Sequence, residues 1–411
     1  MMTTAVSIPL RQDAQVISLV AIAHSVSHFF QLVLTPLFPW LKDAFALSYA
    51  ELGFLVTVFF AASCIAQVLA GFVVDRIGAR AVLFFGLGCL GVSALLMAVA
   101  PNYGVLLAAS ALAGVGNSVF HPTDFTLLNK KVSAPRLGHA FSVHSISGTL
   151  GWAAAPIFMT TIAGLAGWRT ALLAAAFIPF VVLLMLVVYR DCLSPDDVKT
   201  MEMKATEEPA SGGAFDFMRV PAIWMCFIFF VLTSMVIGGV QTFSSPSLRA
   251  LYGMSLAWAT ISFTVYMLAS AAGMVSGGFI VSRTSRHDRI IGAAFLAAGV
   301  LALVVSAAIV PSWMAVVLMG AIGFGTGVAG PSRDLMIREA APKNATGRVY
   351  GVVYSGLDIG VAGSALMFGA MMDAGHPSWL FIGIALLLVT AVVTAAAVKT
   401  RSAEKPELAV S

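Results

Sequence analysis

The sequence predicts an all-α polytopic membrane protein: twelve transmembrane helices in two six-helix repeats. Three observations lead there. Of 411 residues, 59% are hydrophobic and only 10% charged, whereas soluble domains carry roughly 25% charged residues. The apolar residues gather into continuous runs of the length, about 20 residues, that a bilayer core about 30 Å thick demands of a helix. Finally, a set of glycines and one proline recurs at a constant separation of 209 residues.

In chain order the predicted spans are 15–41, 49–74, 80–100, 104–128, 138–163 and 167–190, then 219–250, 255–282, 288–310, 313–338, 346–372 and 377–398. Each is a continuous apolar run, not the short alternating segment of a barrel strand. The first follows a start with no cluster of positive charge and is longer than a signal-peptide core, so it reads as a retained helix. Between the sixth and seventh spans, residues 191–218 carry Pro, Ser, Gly-Gly and an acidic excess, the composition of a flexible cytoplasmic linker. The expected organisation is therefore a six-helix half over 1–190, the linker, and a second half over 219–411. Duplication supports that division: Gly114, Gly116, Pro122, Gly138 and Gly151 meet Gly323, Gly325, Pro331, Gly347 and Gly360 in one register. Parallel repeats of this kind place a substrate site near the bilayer midplane between the halves, with access alternating as one rocks against the other.

Charge sets the orientation. Of 23 Lys and Arg residues, Lys42, Arg169 and Arg249 fall on one side and Arg333 inside the tenth span; the remaining nineteen lie on the side holding both termini. The positive-inside rule makes that side cytoplasmic, which in a bacterial cell is the inner face of the cytoplasmic membrane. A net charge of +4, spread along the chain, excludes nucleic-acid binding. Cys64, Cys89, Cys192 and Cys226 are too scattered for a disulfide framework or a zinc site. No Gly-x-x-x-x-Gly-Lys-Ser/Thr loop is present, which argues against direct drive by ATP. No paired nucleophile and base is found either, so an enzyme is not expected and no cofactor is assigned.

Between the second and third spans stands Gly71-Phe72-Val73-Val74-Asp75-Arg76-Ile77-Gly78-Ala79-Arg80. Gly71 permits close helix approach, and the Asp75 carboxylate can face the positive end of a neighbouring helix. With its Gly, Asp, Arg, Gly and Arg spacing, its span count, its central linker and its duplication, the chain resembles the major facilitator superfamily over essentially its whole length. The resemblance implies that Asp75, with Arg76 and Arg80, latches the two halves on the cytoplasmic side, and that the first, fourth, seventh and tenth spans line the cavity. The second half has Ser282 where the acid would stand, which implies a weaker second latch. Ser118-Val119-Phe120-His121-Pro122, with His24 and His28, looks like the fosmidomycin-resistance branch, which exports small molecules. Thr123 stands where that branch has Glu, and Ala155-Pro156 departs from the proton antiporter pattern.

Ionisable side chains inside a membrane are costly and mark function. Asp358 lies about 18 Å into the eleventh span at 1.5 Å per residue, placed to load and release a proton or to serve as a hydrogen-bonded structural acid. His24, His28 and Gln31 share one face of the first helix. The His-x-x-x-His spacing also occurs in zinc hydrolases, but Ser25 follows His24 where the general base Glu is required, so no metal ligand is assigned. That face is expected to line the cavity, for substrate hydrogen bonding or proton handling.

In the fourth span Asn117, His121 and Asp124 fall at i, i+4 and i+7, and the last two are placed to pair. Arg333 occupies the repeat-related position of Asp124. It either snorkels to the interface or faces inward, as a charge for an anionic substrate or a partner for Asp124. His144, Gln241, Tyr266 and Tyr354 add donors and aromatic surface. Ser147 with Gly151, and Gly356 with Gly360, are small-x-x-x-small pairs for close helix packing. The expected function is proton-coupled export of a small organic solute by alternating access, with proton symport of a small organic acid into the cell as the alternative. Its partners are a small-molecule substrate, protons and the lipid bilayer, with no nucleic acid, and the chain is expected to act as a monomer.

Overall fold

The computed structural model describes residues 9–193, 221–281, 283, 286–340 and 346–403. Twelve of its apolar helical stretches are long enough to cross a membrane. They begin and end within a few residues of the predicted spans, and no strand occurs among the described residues.

Two spans are broken, which periodicity did not predict. The first is α1 (Leu10–Gln31) followed, after a 3-10 turn at Thr35–Leu37, by α2 (Phe38–Phe45). The fourth is α5 (Tyr103–Asn117) followed by α6 (Phe120–Lys131). Proline explains both. Pro36 and Pro122 lack an N–H, and their rings clash with the carbonyls of Leu32 and Ser118, four residues back, so the helical ladder stops there. Backbone groups freed at membrane depth are tolerated where protein surrounds them.

The other spans of the first six are α3 (Tyr49–Ile77), α4 (Ala79–Ala98), α7 (Leu137–Ala166) and α8 (Trp168–Val188). Single residues, Gly78 at φ 89° and Gly167 at φ 87°, join α3 to α4 and α7 to α8. Such positive φ is open to glycine and costly for residues with a Cβ. The second six are α9 (Pro221–Tyr252), α10 (Leu256–Val281), α11 (His287–Ser306), α12 (Ser312–Ala340), α13 (Thr346–Asp373) and α14 (Trp379–Ala403).

Packing gathers the chain into two compact units, one of residues 1–45 with 61–209, the other of 46–60 with 210–411. The short piece 46–60 thus stands with the second unit. There the Asp373 carboxylate accepts the backbone N–H groups of Tyr49 and Ala50, each at 2.8 Å, capping the start of α3. Nearby, Thr57 Oγ1 donates to the Ala362 carbonyl at 2.8 Å, and Gly53 rests on the Ala365 carbonyl.

The repeat is visible inside each unit taken alone. In the first, Gly116 of α5 abuts Cys89 of α4, and Gly151 of α7 lies on the Ser25 carbonyl of α1. In the second, Gly325 of α12 abuts Ala294 and Ala298 of α11, and Gly360 of α13 lies on the Val231 carbonyl of α9. Glycines equivalent by sequence therefore make equivalent close approaches, as the small-residue spacing predicts.

Candidate functional site

In the first unit, α1, α6 and α7 bring together His24, His28, His121, Asp124 and His144. Asp124 is fully buried, and His24, His28 and His144 are nearly so. The carboxylate Oδ2 of Asp124 lies 3.0 Å from His24 Nδ1 and 3.1 Å from His144 Nε2. The His24 and His144 rings stack at 3.5 Å between centroids, His28 lies at 4.4 Å from His24, and His121 at 5.3 Å from His24. Gly148 makes this possible, because a Cβ there would stand 2.6 Å from the His28 ring and 3.1 Å from His24 Nε2.

Beside this cluster runs a hydrogen-bonded chain across four helices. Trp152 Nε1 donates to Gln31 Oε1 at 2.9 Å, and Gln31 Nε2 donates to Asn117 Oδ1 at 3.2 Å. Ser27 Oγ donates to the same Asn117 oxygen at 2.7 Å, while Asn117 Nδ2 donates to Ser63 Oγ at 2.9 Å. Asn117 is thereby satisfied on both ends of its amide. Gln31 closes α1 and Asn117 closes α5, so both sit where a proline has ended a helix. Discontinuous membrane helices that present polar side chains at depth are a recurrent setting for solute binding.

The structure adds to one sequence reading, decides a second and corrects a third. Asp124 is hydrogen-bonded by His144 of α7, with His24 Nδ1 of α1 standing 3.0 Å away, while His121 lies one turn before it on the same α6. Arg333 does not simply snorkel: its guanidinium lies over the buried Phe230 ring at 4.7 Å. It lines a small cavity in the second unit with Thr233, Ile237, Phe295, Thr326 and Leu388. Gly71 makes no close approach, since a Cβ there would meet nothing within 4 Å among the described residues. Asp75 and Arg76 are exposed, and Arg80 reaches the Arg190 carbonyl at 3.2 Å.

Asp358 on α13 is buried, as is Gln241 on α9. Tyr266 is buried and its hydroxyl meets Thr326 Oγ1 at 3.2 Å, an interhelical tie. Ser282 lies outside the described residues, as do the surroundings of Gly347 and the side chain of Tyr354.

Sequence reading missed Asp13. It is fully buried near the start of α1 and binds the loop before α7: the backbone N–H of Ser133 at 3.1 Å and Arg136 Nη1 at 2.6 Å. An acid so near the predicted boundary gave no periodic signal. Ser27, Ser63 and Trp152 were missed because small hydroxyls and a lone indole are unremarkable in an apolar helix.

Comparison with known proteins agrees with this architecture. A 28% identical match to the fosmidomycin resistance protein of Escherichia coli (strain K12) spans 37% of this chain and 37% of that protein. An uncharacterized MFS-type transporter of Yersinia pestis is 25% identical over 88% of this chain and 90% of its own length. A multidrug resistance protein B homolog of Mycobacterium tuberculosis is 32% identical over 24% of this chain and 18% of that protein. Among solved structures, a bacterial homolog of the human lysosomal transporter Spinster superposes with a TM-score of 0.70 at 16% identity, covering 96% of this chain and 97% of that one. The family model of the Major Facilitator Superfamily matches residues 20–310. With twelve membrane-crossing helices in two repeats and a family match over most of its length, this chain belongs to the Major Facilitator Superfamily, whose members are transporters and not enzymes.

Proposed function

We propose that this protein exports a small organic solute across the cytoplasmic membrane in exchange for protons, by alternating access. The observation that carries the reading is the Trp152–Gln31–Asn117–Ser63 chain, a set of amide, hydroxyl and indole groups buried at the ends of two broken membrane helices. Polar groups cost free energy at that depth and are kept where they serve a pathway. Resistance named for two of the relatives supports export as the direction. Asp358 is the proposed proton carrier, a buried carboxyl far from either end of its helix. Both termini are placed in the cytoplasm, following the basic residues, and the working unit is a monomer in the bilayer.

Symport of a small organic acid into the cell is the second reading, and the inward guanidinium of Arg333 in its cavity favours it. Direction decides between them. Cells overproducing the protein are expected to hold less of at least one drug or metabolite than cells lacking it, and everted vesicles to accumulate that compound when a pH gradient is imposed. Accumulation in intact cells, collapsing with the gradient, selects symport. An unchanged distribution of every compound screened overturns both.

A further inference from the structure

We propose that His24, His121 and His144, with Asp124, bind one divalent transition-metal ion, Zn²⁺ being the best match. One ligand nitrogen from each of the three histidines lies within 4.8 Å of the other two. Asp124 Oδ2 stands 3.0 Å and 3.1 Å from two of those rings. Tetrahedral zinc with bonds of about 2.0–2.1 Å sets neighbouring ligand atoms roughly 3.3 Å apart. Two contacts to the carboxylate therefore already have the spacing of ligands around one ion, and the nitrogen pairs need a contraction of at most about 1.5 Å.

The pattern of satisfied and unsatisfied atoms points the same way. His24 Nδ1, His121 Nδ1 and Asp124 Oδ1 are buried and have no hydrogen-bond partner. The approach of His24 Nδ1 to the Asp124 carboxylate is close in distance without the direction of a hydrogen bond. Polar atoms left so in an apolar interior are unfavourable, and an ion between them satisfies several together. The donor set chooses the ion. Three imidazoles and a carboxylate suit zinc and its neighbours in the first transition series, whereas Mg²⁺ and Ca²⁺ require oxygen throughout. Four of the seven histidines in the chain gather here. The spacing along α1 alone gave no reason to expect an ion, because His121 and His144 arrive from two other helices. This inference is independent of the direction and the solute of transport.

The test uses the full chain purified without a polyhistidine tag and stripped with a chelator. Titration with Zn²⁺ against a metallochromic indicator is expected to show one tight equivalent, and Co²⁺ to give the strong visible bands of a four-coordinate site, bleached by Zn²⁺ and untouched by Mg²⁺. His24→Ala and His121→Ala are each expected to weaken binding by at least about tenfold. The double variant His139→Ala, His376→Ala, which removes two exposed histidines, is expected to bind as before. X-ray absorption at the zinc edge of the unmodified chain needs no variant and is expected to show imidazole scattering from about three rings. Binding that is absent, that vanishes with His139 and His376, or that shows an oxygen-only shell without imidazole overturns the proposal.

Discussion

Gln31 and Asn117 stand 86 residues apart in the chain and meet at 3.2 Å, each the last residue of a helix that proline has ended. Asn117 holds three other polar groups, Gln31, Ser27 and Ser63, in one buried cluster. Asn117→Ala strands all three, and each buried group left unpaired costs about 1–3 kcal/mol. A clear drop in melting temperature of the detergent-solubilised protein is expected, together with weaker binding of the transported solute. Asn117→Asp keeps the acceptor for Ser27 and Gln31 while losing the donor to Ser63, and is expected to fall between. A melting temperature and an affinity unchanged in Asn117→Ala would remove the network from both roles.

Helix number and placement were legible in the sequence because bilayer thickness fixes a length that apolar runs declare directly. Gly151 and Gly360 were legible too, since small residues four apart state their purpose locally. Gathering in space was not. The approach of His24 and His144 to Asp124 depends on three helices, α1, α6 and α7, that only the fold brings together. Helical arithmetic within α6 relates Asp124 to His121 one turn back and says nothing of the rings that arrive from α1 and α7. Arg333 was left open between snorkelling and facing inward because only the position of Phe230 on another helix decides it.

The two repeat-related glycines carry a stability prediction that separates packing from propensity. At Gly151 an added Cβ lands on the Ser25 carbonyl oxygen, and at Gly360 on that of Val231. Neither backbone can yield without parting two helices, so Gly151→Ala and Gly360→Ala are each expected to cost about 1–3 kcal/mol. At Gly88, in the middle of α4, nothing stands within 4 Å of that position. Gly88→Ala is expected to leave stability equal or raise it by up to about 1 kcal/mol, the ordinary gain of alanine in a helix. Thermal unfolding of the three variants side by side checks the order, and an equal fall in all three would mean that helix contact is not what these glycines provide.

Asp13 ties the start of α1 to the segment that leads into α7. Its carboxylate is fully buried and Arg136, its partner, is about one-third exposed, with a relative exposure of 36%. Hydrogen bonds to a charged group contribute about 1.5–3 kcal/mol, and the open side of Arg136 brings the expected loss toward the lower figure. Asp13→Ala should therefore unfold at lower temperature, and faster cleavage by protease between α6 and α7 should accompany it. Arg136→Ala is expected to be the more damaging change, because it leaves a buried carboxylate with only the Ser133 groups. The reverse order would show that the carboxylate is satisfied without the guanidinium.

Asp358 gives the sharpest test of coupling. It lies twelve residues beyond the first residue of α13, about 18 Å along the axis at 1.5 Å per residue, and is 7% exposed. Gly356 and Gly360 put the face that contains them against α9. Asp358 falls roughly 160–200° around the helix from both at 100° per residue, so its side chain leaves α13 on a different side. Packing of α13 on α9 therefore does not depend on it, and Asp358→Asn, of equal size, should leave expression and that helix pairing intact. In proteoliposomes with an imposed pH gradient that variant is expected to lose uphill flux and the accompanying proton signal, while exchange of solute against solute without a gradient persists. Loss of exchange as well would mean that Asp358 serves the solute and not the proton. Undiminished proton-linked flux would place coupling on another residue altogether.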